Sequence, residues 1–563
     1  MKEALVVFSA VSLVYFAILN GLYLFLTVLA WKEMSRDVRS RRYLALDEVF
    51  RSPLTPGVSV VVPAFNEETV IVESVRSLLA LRYPRHEVVV VNDGSTDGTL
   101  ETLVTAFALE PARVALRTVI PTAQVRGALV SLRHPNLLVV DKQNGGRSDA
   151  LNSGVNAAGY PYVCVIDADS LLEPDALLKV AKPILDDPLL LAATGGTIRI
   201  ANGCRVDHGR VVDIRVPDNP LAAIQVLEYL RAFLVGRVGW ASINSLGLIS
   251  GAFGLFHRSL VETVGGYWTA TVGEDFELTL RLHEHLRARG EPYRIGFVSD
   301  SVCWTEVPEE LGTLGRQRRR WQRGCWEAMR RHRRMLFRPR YGVIGLVALP
   351  YFLVFEFLSP LFALGGLLVT LLGWLLGYLS GYYVLVYVLV SLGLGFLLST
   401  AAIALEELNA RSYRRWRDVF RMLFYAVAEN FGYHQLHDCW RALGYWDIAR
   451  GKTGWGAQQR RGFATAPPEV EPAALVSAHR NRASLPPGEV SSPPVARPSQ
   501  SRIRKKERRA REHRQGNPYD QSRADPEPDR TLDEARVDPA VDEAGASGDD
   551  ATALGAPKPR GSA

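Results

Sequence analysis

Cysteine is scarce in this chain. Five residues in 563, Cys164, Cys204, Cys303, Cys325 and Cys439, are scattered with no C-x-x-C pair. That excludes a disulfide-built scaffold and a cysteine-based zinc site, and implies reducing surroundings. An excess of one charge is also missing. Lys plus Arg number 66 against 59 Asp plus Glu, a net of +7, too little for a binder whose whole surface is basic. No repeat of fixed period marks a solenoid. No G-x-x-x-x-G-K-[ST] loop occurs, so nothing indicates ATP hydrolysis. Asp93-x-Ser95-x-Asp97-Gly98 opens like a calcium loop, but its twelfth position is Val104 and a strand precedes it. It lacks the bidentate Glu such a loop needs.

What is present is sharply partitioned. The length suggests roughly three to four domains of about 150 residues, and 47% hydrophobic with 22% charged residues is ordinary for a globular enzyme. Residues 4–31 carry no charge, and at ~1.5 Å per residue they can cross ~30 Å of hydrocarbon. The run is too long for a signal peptide and no small-x-small site follows it. Lys32, Arg36, Arg39, Arg41 and Arg42 come next, which places that end in the cytoplasm by the positive-inside rule. Residues 32–57 then read as a cytoplasmic linker.

Short β-branched runs at 58–62, 87–91, 137–140 and 162–166 are buried strand candidates. Helical spacing occupies 67–81 and 149–158. The alternation predicts an α/β domain on a mostly parallel sheet over 58–312. Residues 316–340 hold eleven arginines interleaved with Trp321, Trp326, Met329 and Phe337. This predicts basic amphipathic helices over 313–345, their apolar side in lipid and their arginines at head groups. Runs at 352–378 and 382–405, with a turn at 377–381 and arginines from Arg411 onward, predict a transmembrane hairpin over 346–407. Within 408–455, the stretch 419–440 contains Glu429, Asn430, His434 and Asp438. It reads as an interfacial or re-entrant helix, with a third C-terminal crossing as the alternative. Residues 456–563, rich in Pro, Ala, Ser, Arg and Asp, form a disordered charged tail. Its basic run at 502–514 has no interleaved aromatics, so no nucleic acid partner is expected.

Five motifs bear chemistry. Asn92-Asp93-Gly94-Ser95-Thr96-Asp97 follows a buried strand, where ligands of open α/β sheets bind. Asp141-Lys142-Gln143-Asn144-Gly145-Gly146-Arg147 joins adjacent glycines to two cations ahead of a helix starting near Ser148, a place suited to phosphate. Asp167-Ala168-Asp169 puts two carboxylates at a strand's end, suited to Mg²⁺ or Mn²⁺ shared with phosphate oxygens. Gly273-Glu274-Asp275 offers Asp275 as a general base with Glu274 beside it. Gln317-x-x-Arg320-Trp321 offers a guanidinium for phosphate and a flat apolar face for a sugar. Each has an ordinary structural explanation when taken alone: an Asx turn, a glycine turn, a solvated acidic turn, an acidic helix start, a piece of basic helix.

Together, and in this order, the motifs resemble the membrane-embedded processive branch of the family 2 glycosyltransferases, which includes cellulose, chitin, hyaluronan and poly-N-acetylglucosamine synthases. The resemblance covers about residues 58–463. It implies a GT-A fold, a nucleotide-diphosphate sugar donor, best UDP-N-acetylglucosamine and then UDP-glucose, and inversion at the anomeric carbon. It implies that Glu67, in Pro63-Ala64-Phe65-Asn66-Glu67, and Asp93 contact the nucleoside. Asp167 and Asp169 would hold metal and diphosphate; Lys142, Arg147 and Arg320 would stabilise the leaving diphosphate. Asp275 would take the acceptor proton, Trp321 would stack on the acceptor, and Ser250-Gly251 would open the acceptor-side loop. Trp304, Trp321 and Trp326 would line the polymer's entrance. Expected partners are the UDP-sugar, a polysaccharide or oligosaccharide acceptor, membrane lipids, and accessory export or regulatory proteins. The expected location is the inner (plasma) membrane, multi-pass, with a cytoplasmic catalytic domain. Two departures stand out: Gly273 replaces a common Thr, and the span count is small. A single-addition transferase acting on a lipid-linked acceptor is the competing reading.

Overall fold

The structure, a computed structural model, describes residues 2–40, 46–187, 190–207, 209–409, 412–452 and 454. The chain divides into two units, Met1–Glu469 and Val470–Ala563. The second unit, with the predicted charged tail, lies outside the described residues, as do Arg41 and Arg42.

Twelve strands form among the described residues: β1 Val58–Ala64, β2 His86–Asn92, β3 Leu109–Ala112, β4 Val125–Ser131, β5 Leu137–Lys142, β6 Tyr162–Ile166, β7 Leu171–Leu172, β8 Leu191–Ile200, β9 Arg205–Asp207, β10 Arg210–Asp213, β11 Phe253–His257 and β12 Arg294–Thr305. Ten of them make one sheet in the order β3-β4-β5-β2-β1-β6-β11-β8-β12-β7, and β9 and β10 form a separate hairpin. Neighbours β5, β2, β1 and β6 are parallel at the centre. Only β4, β11 and β7 run against the rest, so the mixed sheet is mostly parallel, as the β-branched runs predict.

Period-two geometry sorts each central strand between two faces. Val60, Val62, Val88 and Val90 enter one core with the helices Ile71–Leu79, Thr99–Phe107 and Ala176–Asp186. Val61, Val89 and Val91 enter the other with Arg147–Ala157, Pro220–Leu230 and Glu274–Arg289. Covering both faces is why these strands read as unbroken apolar runs. The chain turns outward from β1 in both directions, to β2 and to β6. The carboxyl ends of β1 and β6 therefore flank a topological switch point.

Among the described residues two helices are long and apolar enough to cross a membrane, Lys2–Asp37 and Gly381–Asn409. A third such segment is the pair Ile344–Phe357 and Ser359–Leu375, bent by 46°. The bend falls just before Pro360, which lacks the N–H that would continue the first helix. The predicted turn is present between Leu375 and Gly381. Ser9 Oγ lies 2.7 Å from Thr370 Oγ1, a polar contact between the first helix and the second half of the bent pair.

Two stretches take a form the sequence does not show. The stretch 419–440 is not one helix. It belongs to two, Trp416–Ala428 and Tyr433–Ala449, separated at Gly432, whose φ is 94°, and neither is among the segments able to cross. The basic helix Leu311–Arg331 turns several of its arginines toward protein. Arg318 pairs with Glu228, Arg319 binds Asp447 twice at 2.7 Å, and Arg323 donates to the carbonyls of Lys452 and Gly454 at 2.6 and 2.9 Å. The helix Tyr433–Ala449 covers this face, and a Cβ on Gly444 would meet Gln322 at 2.8 Å. Protein carboxylates and carbonyls take these arginines because burial makes an unpaired charge expensive. Arg316 near the helix start and Arg330 and Arg331 at its end are exposed, as are Arg333, Arg334, Arg338 and Arg340 beyond it.

Candidate active site

The motif residues gather at the carboxyl ends of the central strands. Asn66 and Glu67 follow β1, Asp93 follows β2, and Asp167 and Asp169 follow β6. The Asn66 and Asp93 turns are stitched together: Asn66 Oδ1 accepts from Thr96 N at 2.8 Å, and Glu67 N donates to Thr99 Oγ1 at 2.9 Å. Glu67 itself is half-buried at the rim.

Asp93 and Lys142 are joined to each other and to the glycine loop. Asp93 is 2% exposed. Its carboxylate accepts from the amides of Gly145 and Gly146 at 3.0 and 2.8 Å and from Lys142 Nζ at 2.5 Å. Burial pushes its carboxyl up, while Lys142 and the glycine amides pull it back. Lys142 is wholly buried, with Nζ also 2.6 Å from Asp149 Oδ1 and from the carbonyl of Gln143. Both groups thus face inward and fold the 141–146 loop onto β2. A lysine held by two carboxylates has no free face for a diphosphate. The loop passes through Gly146 at φ 87°, a left-handed conformation that a side chain would oppose, and delivers Arg147 as the first residue of its helix.

Arg147 is the hub. Its Nη2 and Nε reach Asp167 Oδ1 at 2.6 and 3.1 Å, Nη1 pairs with Glu274, and Nη2 also donates to the carbonyl of Gly251 at 2.8 Å. Gly251 N donates in turn to Asp275 Oδ2 at 3.0 Å. One guanidinium therefore links the Asp167 turn, the Ser250–Gly251 loop and the start of the Glu274–Arg289 helix. A Cβ on Gly251 would sit 2.9 Å from Nη2, so a side chain there would push the guanidinium aside. The surrounding acids hold Arg147 protonated well above its ordinary range. Glu274 is 2% exposed, and burial pushes its carboxyl up to about 7 against the pull of Arg147.

Arg320 comes to the same place from the Leu311–Arg331 helix. Burial lowers its affinity for a proton, and Glu274, Arg147, Asp167 and Asp275 are the charged groups around it. A contact that sequence reading missed sets its position. A Cβ on Gly324 would meet Gly273 Cα at 2.8 Å, and a Cβ on Gly273 would meet Gly324 Cα at the same distance. The two backbones touch. Glu327, one turn on, accepts from Thr271 Oγ1 and Val272 N at 2.8 and 3.0 Å and fixes the approach. Both glycines are visible in the sequence, but nothing in the sequence pairs them.

The aromatic expectations divide. Trp321 is 44% exposed, with the Arg318 guanidinium 4.3 Å from its ring centre. Trp326 stacks on Phe357 at 5.0 Å. Trp304 does not line an entrance: it is 2% exposed, its Nε1 donates to Glu173 at 2.6 Å, and it belongs to a small core cluster. Ser250 is half-buried, and its carbonyl accepts from Phe253 N at 3.1 Å.

Asp167 and Asp169 present two carboxylates on one turn. Among the described residues no group of three His, Cys, Asp or Glu side chains is arranged to hold a metal. Two oxygen donors fit a hard cation whose remaining positions go to phosphate oxygens and water.

Two family models match the chain: "Glycosyl transferase family 2" over residues 59–211, and "Glycosyl transferase family group 2" over residues 162–399. The poly-beta-1,6-N-acetyl-D-glucosamine synthase of Staphylococcus aureus (strain COL) is 29% identical over 328 residues, 58% of this chain and 65% of that protein. The Staphylococcus epidermidis synthase of the same name is 29% identical over 277 residues, 49% of this chain and 56% of its own length. The chain thus spans less than two thirds of these relatives. Among solved structures, a mannosyltransferase from Pyrobaculum calidifontis in complex with GDP-Man and Mn²⁺ aligns over 74% of this chain and 99% of its own, with 21% identity and a TM-score of 0.39.

Proposed function

The chain belongs to the family 2 glycosyltransferases, and from that premise we propose that it transfers a sugar from a UDP-sugar to the hydroxyl end of a growing polysaccharide, with inversion. UDP-N-acetylglucosamine is the first candidate donor, in keeping with the names of the relatives, and UDP-glucose is the second. The observation that carries the reading is the linkage of Asp167, Gly251, Glu274 and, through the Gly251 amide, Asp275 by the single Arg147 side chain.

In this reading Asp167 and Asp169 would hold Mg²⁺ or Mn²⁺ beside the diphosphate. The cation supplies positive charge against the charge that develops on the leaving diphosphate. Arg147 orients Asp167, and Arg320, held beside it in a low-dielectric setting, hydrogen-bonds phosphate oxygens. Glu67 and the Asp93 turn border the nucleoside. Asp93 acts chiefly by shaping the glycine loop. The acceptor hydroxyl lies against Asp275, whose Oδ2 is fixed by the Gly251 amide. The acceptor oxygen attacks the anomeric carbon from the face opposite the diphosphate. The bond from that carbon to the diphosphate oxygen breaks, and the proton passes to Asp275. Trp321 offers its exposed edge to the acceptor sugar.

The apolar helices support a membrane location with more than one crossing and a cytoplasmic catalytic domain. Gln322, next to Trp321, donates to the carbonyl of Phe357 at 2.8 Å. The helix that carries Trp321 is thereby joined to the bend of the membrane-length pair, which supports coupling of transfer to the membrane helices. A screen of UDP-sugars on purified protein in nanodiscs, with Mg²⁺ or Mn²⁺, tests this through UDP release and product size. One donor giving a long product is expected. A product limited to one or two added sugars would establish the single-addition reading instead, and failure to bind any UDP-sugar would end the transferase reading.

A further inference from the structure

Several buried or half-buried arginines among the described residues are matched to acids. Arg147 has Asp167 and Glu274, Arg199 has Glu406 at 2.6 Å, Arg231 has Glu429 at 3.0 Å, and Arg318 has Glu228. Arg237 is different. Among the described residues it has no ion pair and no hydrogen bond, and its Nε is buried without an acceptor. Its one direct partner is the ring of Phe233, with Cζ 3.8 Å from the ring centre. The two side chains are four positions apart and share a face of the helical segment.

Position adds to the anomaly. Arg237 is the last residue of a π-helical segment, Arg231–Arg237, and such turns recur at functional sites. The next turn is flush with the first membrane-length helix: a Cβ on Gly239 would meet the Leu26 carbonyl at 2.9 Å. The acids that act on Arg237 are Asp275 and Glu356, with the phenol of Tyr229 between them in strength. Asp275 is the proposed base. Glu356 lies on the first half of the bent pair, its side chain 35% exposed and near Tyr23, Tyr351 and Arg441. Arg237 thus feels the charge of the Asp275 turn and of the bent pair, and its helix packs on the first membrane-length helix. Arg237 is half-buried, and withdrawing a guanidinium from water without a counter-ion disfavours its charged form, so burial pushes its pKa down to about 10. A group kept at that cost is poised for a partner that arrives later.

We propose that Arg237 is an acceptor-binding residue, its guanidinium donating to hydroxyl or acetamido oxygens of the glycan whose terminal hydroxyl lies at Asp275. This rests on the transferase reading. A neutral oxygen-rich chain suits the site. The diphosphate has its own cations on the Asp167 side, and a planar fork on an aromatic face gives a sugar directed donors without closing the space.

The test uses the full chain in nanodiscs with UDP and Mn²⁺, and a pentamer of N-acetylglucosamine as probe. Wild type, Arg237→Gln, Arg237→Lys and Phe233→Leu are compared for pentamer Kd, UDP Kd and the two KM values. Arg237→Gln is expected to weaken pentamer binding and raise acceptor KM at least about tenfold, with UDP Kd and donor KM unchanged. Lys is expected to recover part of the loss, and Phe233→Leu to fall in between. If Gln binds the pentamer as wild type does, or weakens UDP by the same factor, the inference is wrong although the transferase stands. A wild-type protein that transfers no sugar from any donor overturns both. Should Arg237→Gln fail to fold, the Phe233→Leu split between acceptor and donor decides the matter alone.

Discussion

Replacing Gly324 by Ala adds one methyl group at the point where the Arg320 helix touches the turn before Asp275. The new Cβ would lie 2.8 Å from Gly273 Cα, and ordinary contact begins at 3.4 Å, so the helix must retreat by about 0.6 Å. The neighbour is backbone, which cannot swing aside. Two terms act on stability. Overpacking costs about 1–3 kcal/mol, while Ala within a helix returns about 1 kcal/mol relative to Gly. The net loss is therefore small, and Tm is expected to move by a few degrees at most. Activity is expected to suffer more, because Arg320 and Trp321 ride on the displaced helix. A misplacement approaching 1 Å at reacting groups costs up to about 100-fold in rate, so a fall of about 10- to 100-fold in kcat is expected, with UDP-binding affinity reduced only modestly. Gly273→Ala should give a similar loss, since its clash is with the same contact. The double variant should lose less than the product of the two, because helices already separated accept the second methyl more easily. UDP-release kinetics and thermal melts on the same preparations measure both sides. Near-wild-type turnover in Gly324→Ala would show that this contact does not set the site's geometry.

Other outcomes follow from the same coordinates. Asp275→Asn is expected to abolish transfer while UDP binding persists, measured by calorimetry and product formation; unimpaired turnover removes Asp275 as the base. Glu274 ionises near 7 in the folded chain. The ionised form is the one that grips Arg147, so transfer should decline as pH falls through about 7, and Glu274→Gln should flatten that limb. Its linkage to folding has the opposite sign: the raised pKa contributes stability in full below the ordinary carboxyl value and loses it as pH rises toward 7, visible as a Tm difference from the Gln variant. Lys142→Met leaves Asp93 and Asp149 buried without their cation and should cost about 3–5 kcal/mol in denaturant melts, more than any direct effect on donor affinity. Chelation of divalent ions should stop transfer, and Asp169→Asn should raise the metal concentration needed to restore it; full activity in chelator would exclude the metal site.

The central strands were legible to within a residue or two, because a strand buried on both faces must be apolar at every position and its flanks cannot be. The motif acids were legible for the related reason that carboxylates directly after such strands sit at the open edge of a parallel sheet. The membrane-length helices could be read from length and charge alone. The partners of the cations could not. Lys142 beside two glycines reads as a phosphate ligand, and only the fold shows that Asp93 and Asp149 enclose it. The arginine run reads as a lipid-facing surface, because sequence records the charge but not the acids 90 and 128 positions away that meet Arg318 and Arg319. Trp304 reads as a sugar platform until Glu173 is seen to hold its indole. The approach of Gly273 to Gly324 and the solitary position of Arg237 are likewise facts of packing. Local chemistry and periodicity are written along the chain. Which charge meets which, and which is left waiting, depends on contacts between distant residues that exist only once the layers have closed.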